Sequence, residues 1–152
     1  MNRLALLIST CLGIGYTPKG GGTLASAICC LIWYFTGYGG NARPYERLLA
    51  TFLLLVAGIW SAGKMEERWG KDSYRIVIDE VAGMCITLLF VPLKWQYAIA
   101  GLILFRFFDI AKPLYIRRME NLKGGWGVMM DDALAGLYSN LILQALMQQK
   151  LL

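Results

Sequence analysis

The chain has 152 residues, of which 57% are apolar and only 16% charged, with four cysteines, no histidine and a net charge of +5. Its mean hydropathy is +0.51. Soluble domains carry about 25% charged residues, so this composition excludes an ordinary soluble fold and predicts a single integral membrane domain over residues 1–152. Without histidine any chemistry must proceed without imidazole, and with no C-x-x-C pair among Cys11, Cys29, Cys30 and Cys85 a zinc site is excluded too.

In chain order, apolar stretches run over Leu4–Ile14, Leu24–Tyr38, Arg47–Ala62, Val81–Leu93, Trp95–Ala111 and Ala133–Leu152. The first is shorter than the roughly 20 residues a spanning helix needs, and no A-x-A site follows it, so it reads as a retained interfacial or re-entrant helix. The other five predict an all-α polytopic bundle of about five spanning or half-spanning helices. Their connections alternate between two sides. One side holds Arg3, Lys19, Lys64, Arg68, Lys71, Arg75, Lys112, Arg117, Arg118 and Lys123; the other, reached by Gly39–Glu46, Pro92–Lys94 and the C-terminus, holds Arg43, Arg47, Lys94 and Lys150. Ten basic residues against four make the first side cytoplasmic. No basic stripe with interleaved aromatics points to nucleic acid.

Five carboxylates, Asp79, Glu80, Asp109, Asp131 and Asp132, fall at the ends of apolar stretches on that first side. Carboxylates beside lipid are costly, and grouped they repel one another unless protons or a cation intervene; a divalent metal is the simplest partner. Asp79-Glu80 and Asp131-Asp132 each precede an apolar helix with an early glycine, Gly83 and Gly136. Capping of a helix N-terminus explains either pair alone. Two pairs on one face with a third acid nearby favour a site, and the glycines would let the helices that carry them pack closely.

Arg106, Asp109 and Lys112 follow at spacings of three, on one helical face, with Pro113 marking the exit. A salt-bridge ladder would account for the spacing, but an arginine nearly two turns inside an apolar stretch is rare unless it meets a polar cavity. Arg106 and Lys112 suit a phosphate. Two glycine-rich loops on the same side, Thr17–Thr23 and Gly124–Gly127, offer backbone amides to an anion through Gly22, Thr23, Gly124 and Gly125, although neither is a P-loop. Histidine-nucleophile, cysteine-nucleophile and D-x-D phosphatases are excluded by the residues present, as is the D-x-x-D-G-x-x-A-R run of CDP-alcohol transferases. Metal-activated water with carboxylate ligands, and a carboxylate base, remains.

Four ordered motifs, from about Gly13 to Leu143, carry a resemblance. They are Gly15, Pro18, Gly22, Thr23 and Ser26; Asp79, Glu80 and Gly83; Phe105, Arg106, Asp109, Lys112 and Pro113 with Ile116-Arg117; and Gly124, Gly125, Gly127, Met129, Asp131, Asp132, Ala135 and Gly136. In this the chain resembles the phosphatidylglycerophosphatase A family, departing from it at Gly21 and Tyr115, where proline is common. The resemblance implies a magnesium-dependent enzyme of the bacterial plasma membrane that converts phosphatidylglycerol phosphate to phosphatidylglycerol and inorganic phosphate. Taken with the residues, it makes Asp79, Glu80, Asp131 and Asp132 the expected Mg2+ ligands, since magnesium prefers hard oxygen. Asp109 is a further ligand or the general base. Arg106 and Lys112, completed by Thr23 and the glycine amides, hold the phosphate of a phospholipid drawn from the bilayer. The alternative is a small magnesium or cation transporter with a cytoplasm-facing carboxylate site; against it, the acids cluster at one face, and the far side offers only Glu46.

Overall fold

The computed structural model describes residues 2–37, 43–71, 73–92 and 94–149. Among them every regular element is helical: α1 (Arg3–Ser9), α2 (Gly21–Gly37), α3 (Pro44–Trp69), α4 (Ile78–Thr87), α5 (Trp95–Ala111), α6 (Ile116–Met119) and α7 (Gly125–Gln148). The links expected at Gly39–Glu46 and Pro92–Lys94, and the C-terminal end, lie wholly or partly outside the described residues.

The centre of the molecule is the α4–α7 pair. α3 and α5 pack on both members, α2 covers α4 and α5, and α1 rests on α3. The pair is close because it meets at glycine: Gly136 lies directly against the Gly83 carbonyl, and Gly83 in turn faces the Phe105 ring and the Asp132 carbonyl. Any Cβ at either position would collide with its neighbour, so the residue type fixes the separation of the two helices. Phe105, Met84, Ile116 and Ala135 fill the space around this contact and are completely buried. Each such large side chain adds about 1.5–3 kcal/mol of burial.

Two expectations are corrected here. The helix over the Val81–Leu93 stretch is shorter than its apolar run: α4 stops after ten residues at Thr87. There Asn140 of α7 donates its side-chain amide to the carbonyls of Thr87 and Leu89 at 2.9 and 2.8 Å, satisfying a buried helix end. The second correction is that Asp131 and Asp132 do not open their helix. α7 starts six residues earlier, at Gly125, after Gly124 turns with φ +62°. Capping therefore does not explain this pair.

Helix α3 is long and apolar enough to cross a membrane, and α2 is apolar but shorter. Pro44 opens α3 at its first position, and the Glu46 carboxylate accepts the Arg43 backbone N–H, both common starts for a helix. The outer faces of α2, α3 and α5 expose Leu31, Phe35, Leu49, Phe52, Ile103 and Ile110, among others. The four cysteines are thiols without disulfide partners, three of them packed among apolar neighbours.

Candidate active site

Three helices bring the carboxylates together. Asp79 and Glu80 occupy the first turn of α4, Asp132 the second turn of α7, and Asp109 the last turn of α5. Because Gly83 and Gly136 each lie about one turn beyond an acid, the contact that joins the helices also joins their carboxylates. One oxygen each from Asp79, Glu80 and Asp132 falls within 4.8 Å of the others. Asp109 lies beside Asp132, whose carboxyl its charge pushes up, and pairs with Arg106 at 2.6 Å.

This cluster is electrostatically uncomfortable by itself. Burial pushes the Asp79 carboxyl well above the usual carboxylate range, and the charges of Glu80, Asp132 and Asp131 add to the rise. Burial likewise raises Asp132, with Asp109 and Glu80 contributing. Asp79 Oδ1 and Glu80 Oε2 are buried without a hydrogen-bond partner. Orphaned oxygens converging at this spacing fit a small hard cation, which would satisfy the oxygens and cancel the repulsion together.

Asp131 stands apart from the three. Consecutive residues of a helix point about 100° apart, so when Asp132 faces the cluster Asp131 faces its flank. There its Oδ2 accepts from Lys112 Nζ at 2.7 Å, while its Oδ1 is buried without a partner. Lys112 also donates to Glu120 at 2.6 Å. Burial works against the ammonium, but the two carboxylate partners outweigh it and hold its pKa above the usual lysine range. Lys112 ends α5 in the left-handed conformation, φ +44°, which turns its side chain back towards α7. For a residue with a Cβ that conformation costs of order 1–3 kcal/mol, and the double ion pair helps sustain it.

Arg106 Nε and Nη1 are buried and make no hydrogen bond of good geometry, although Nη1 lies close to Asp109. This guanidinium is thus held beside the carboxylates with donors to spare. Gly22, in the first turn of α2, lies against the Glu80 carboxyl so tightly that a Cβ would overlap Oε1. Thr23, beside it, is exposed. Gly125 lies against the Ile59 carbonyl and the Gly63 amide of α3, so it is required by packing. Gly124 lines a cavity of about 230 Å³ together with Glu66, Lys71, Glu120, Asn121 and Asp131. Glu66 and Glu120 were not anticipated from the sequence; Glu120 had one available signal, an acid eight residues past Lys112 with Pro113 turning the chain between them.

The phosphatidylglycerophosphatase A family model matches residues 7–147. A Bacteroides thetaiotaomicron protein provisionally named a phosphatidylinositol-3-phosphatase is 46% identical over 92% of this chain and 91% of its own length. The phosphatidylglycerophosphatase A of Escherichia coli K12 is 34% identical over 88% of this chain and 77% of its own. That of Haemophilus influenzae is 40% identical over 65% of this chain and 63% of its own. No solved structure matches significantly.

Proposed function

Because the chain belongs to the phosphatidylglycerophosphatase A family, and so is a phosphatase of phospholipid metabolism, we propose that it removes the terminal phosphate of phosphatidylglycerol phosphate with Mg2+ held by Asp79, Glu80 and Asp132. The observation that carries the metal assignment is the convergence of these three carboxylates, with one buried oxygen each of Asp79 and Glu80 left without a hydrogen-bond partner. When bound there, magnesium supplies Lewis-acid polarisation of the phosphate and charge neutralisation that lets an anion approach the acids.

The chain's own residues do the rest. Arg106 directs its unpaired donors at the phosphate oxygens as charge develops on them. Asp109, fixed between Arg106 and Asp132, takes the proton of the attacking water. A new P–O bond forms from that water, the P–O bond to the lipid glycerol breaks, and the departing oxygen receives the proton that Asp109 took. Lys112, held by Asp131 and Glu120, positions Asp131 and offsets part of its charge at the flank of the site. The cavity beyond Asp131 and Gly124 is suited to the polar head group. The apolar outer faces of α2, α3 and α5 suit lipid contact, and with the ten-to-four distribution of basic residues they support a multi-pass protein of the bacterial plasma membrane whose site faces the cytoplasm. In this arrangement α4 is buried within the protein and spans only part of the bilayer. The family match gives the transporter alternative no support.

The name of the Bacteroides relative raises a second substrate, a phosphoinositide monoester. Both substrates present a dianionic phosphate on a lipid, so the test is a direct comparison. Purified protein should release inorganic phosphate from phosphatidylglycerol phosphate faster than from phosphatidylinositol 3-phosphate, stop in excess chelator and resume with magnesium. Undiminished release in chelator would remove the metal from the mechanism, and faster release from the inositol lipid would change the substrate.

A further inference from the structure

Helices α2 and α3 both pack on α4 but make little contact with each other. Along α2 runs a groove formed by two adjoining hollows of about 400 and 360 Å³ that share Cys29, Ile32 and Val81, the first facing α3 and the second facing Cys11, Leu12 and Ile14 after α1. Val81 and Cys85 of α4 form its floor, Ala25, Ile28 and Ile32 of α2 one wall, and Ala50 and Leu54 of α3 part of the other. Its near end lies at the carboxylate cluster: Val81 directly follows Glu80, and Ala25 comes one turn after Gly22, which touches the Glu80 carboxyl. From Ala25 to Thr36 the groove follows about 16 Å of helix at 1.5 Å per residue, close to half of a hydrocarbon core about 30 Å thick. At the far end the Arg47 guanidinium stacks over the Trp33 ring at 5.1 Å and places a cation where the apolar lining stops.

We propose that this groove holds one acyl chain of the phospholipid substrate, so that the chain orients the head group over Asp79, Glu80 and Asp132. This rests on the lipid phosphatase reading above and adds a chain-binding site to it. The commitment to an acyl chain follows from three features together: the lining is apolar apart from Thr36, Glu46 and Arg47 at the far end, it follows helix α2 for about 16 Å, and it opens beside the reacting group. A chain seated there would enter alongside Glu80 and lie over the small side chains of Cys29 and Cys85, whose sulfurs touch at 3.5 Å in the floor. By contrast, the outward faces of α5 lie beyond the groove and would meet only bulk lipid.

Ile28→Trp and Ala50→Trp fill the groove from opposite walls without touching the carboxylates. Turnover is measured in mixed micelles with dipalmitoyl and dihexanoyl forms of phosphatidylglycerol phosphate. The ratio of long-chain to short-chain kcat/KM should fall by about tenfold in each variant, the scale of effect that overfilling a packed site produces. An unchanged ratio in both variants would overturn the groove while leaving the phosphatase reading intact. No phosphate release from either substrate by the wild-type protein would overturn that reading and the groove with it. A second measurement needs no variant to fold: a non-hydrolysable phosphonate analogue carrying a diazirine midway along one chain is photolysed with wild-type protein. Adducts on Ile28, Ile32 or Leu54 support the proposal, and adducts confined to Ile103 and Ile110 on α5 refute it.

Discussion

Replacing Gly136 by alanine should damage activity more visibly than stability. The added Cβ would overlap the Gly83 carbonyl oxygen, which belongs to the backbone and cannot swing aside. That carbonyl already accepts the Thr87 hydroxyl at 2.9 Å, which further fixes it. The helices must therefore part, and the displacement passes directly to the acids one turn away, Asp132 on α7 and Asp79 and Glu80 on α4. Overfilling a well-packed contact costs about 1–3 kcal/mol. In a chain of this length each kcal/mol lowers Tm by about 2–4 °C. The catalytic penalty sits at the top of the same energy range, since a misplacement of about 1 Å costs on the order of 10²-fold in rate, about 2.7 kcal/mol, and a 10²-fold loss of turnover is far easier to read than a shift of a few degrees. Thermal unfolding in detergent and phosphate release by the same preparation measure both effects. A Gly136→Ala protein with wild-type Tm and wild-type turnover would refute the claim that glycine contact sets the carboxylate geometry.

Gly22→Ala should separate the two effects differently: the obstructing neighbour is the flexible end of Glu80, so the carboxyl rotates out of the cluster, and turnover should fall while Tm changes little. Wild-type turnover would show that Glu80 does not need its present position. Arg106→Lys keeps the charge but loses the forked donors, and kcat should drop on the order of 10²-fold, the cost of removing one donor to developing charge; near-normal turnover would leave Arg106 only its ion pair with Asp109. In a Cys11→Ser background, Ser73→Cys should resist an impermeant thiol reagent in intact cells and react after permeabilisation. Labelling from outside would invert the proposed orientation.

The residues of the site were legible because acids amid apolar sequence are conspicuous and each comes at the end of an apolar stretch. Their partition was not legible. Asp131 and Asp132 are adjacent in sequence and equivalent in charge, yet the pitch of α7 sends Asp132 to the cluster and Asp131 to Lys112, a consequence of helix rotation that only packing decides. Lys112 reads from the sequence as a phosphate ligand beside Arg106, and the sequence does not show the two carboxylate partners it has from α7 and the turn after α6. The all-helical class followed directly from the apolar stretches, but the end of α4 did not. Its apolar run continues to Leu93, and the residue that satisfies the carbonyls where the helix ends, Asn140, is more than 50 residues away. The glycine loops illustrate a different ambiguity. Glycine permits an anion to approach the backbone and equally permits a helix to do so, and Gly22 and Gly125 are both committed to protein contacts.

The assignment of the metal to Asp79, Glu80 and Asp132 is tested most directly by manganese titration of the purified protein, followed by electron paramagnetic resonance. Manganese substitutes for magnesium at oxygen-ligand sites. Binding should be strong in the wild-type protein, weakened severely by Asp79→Asn and Asp132→Asn, and largely retained by Asp131→Asn. Equal manganese binding by wild type and Asp132→Asn, with loss in Asp131→Asn, would contradict the assignment and move the ion to the Lys112 flank.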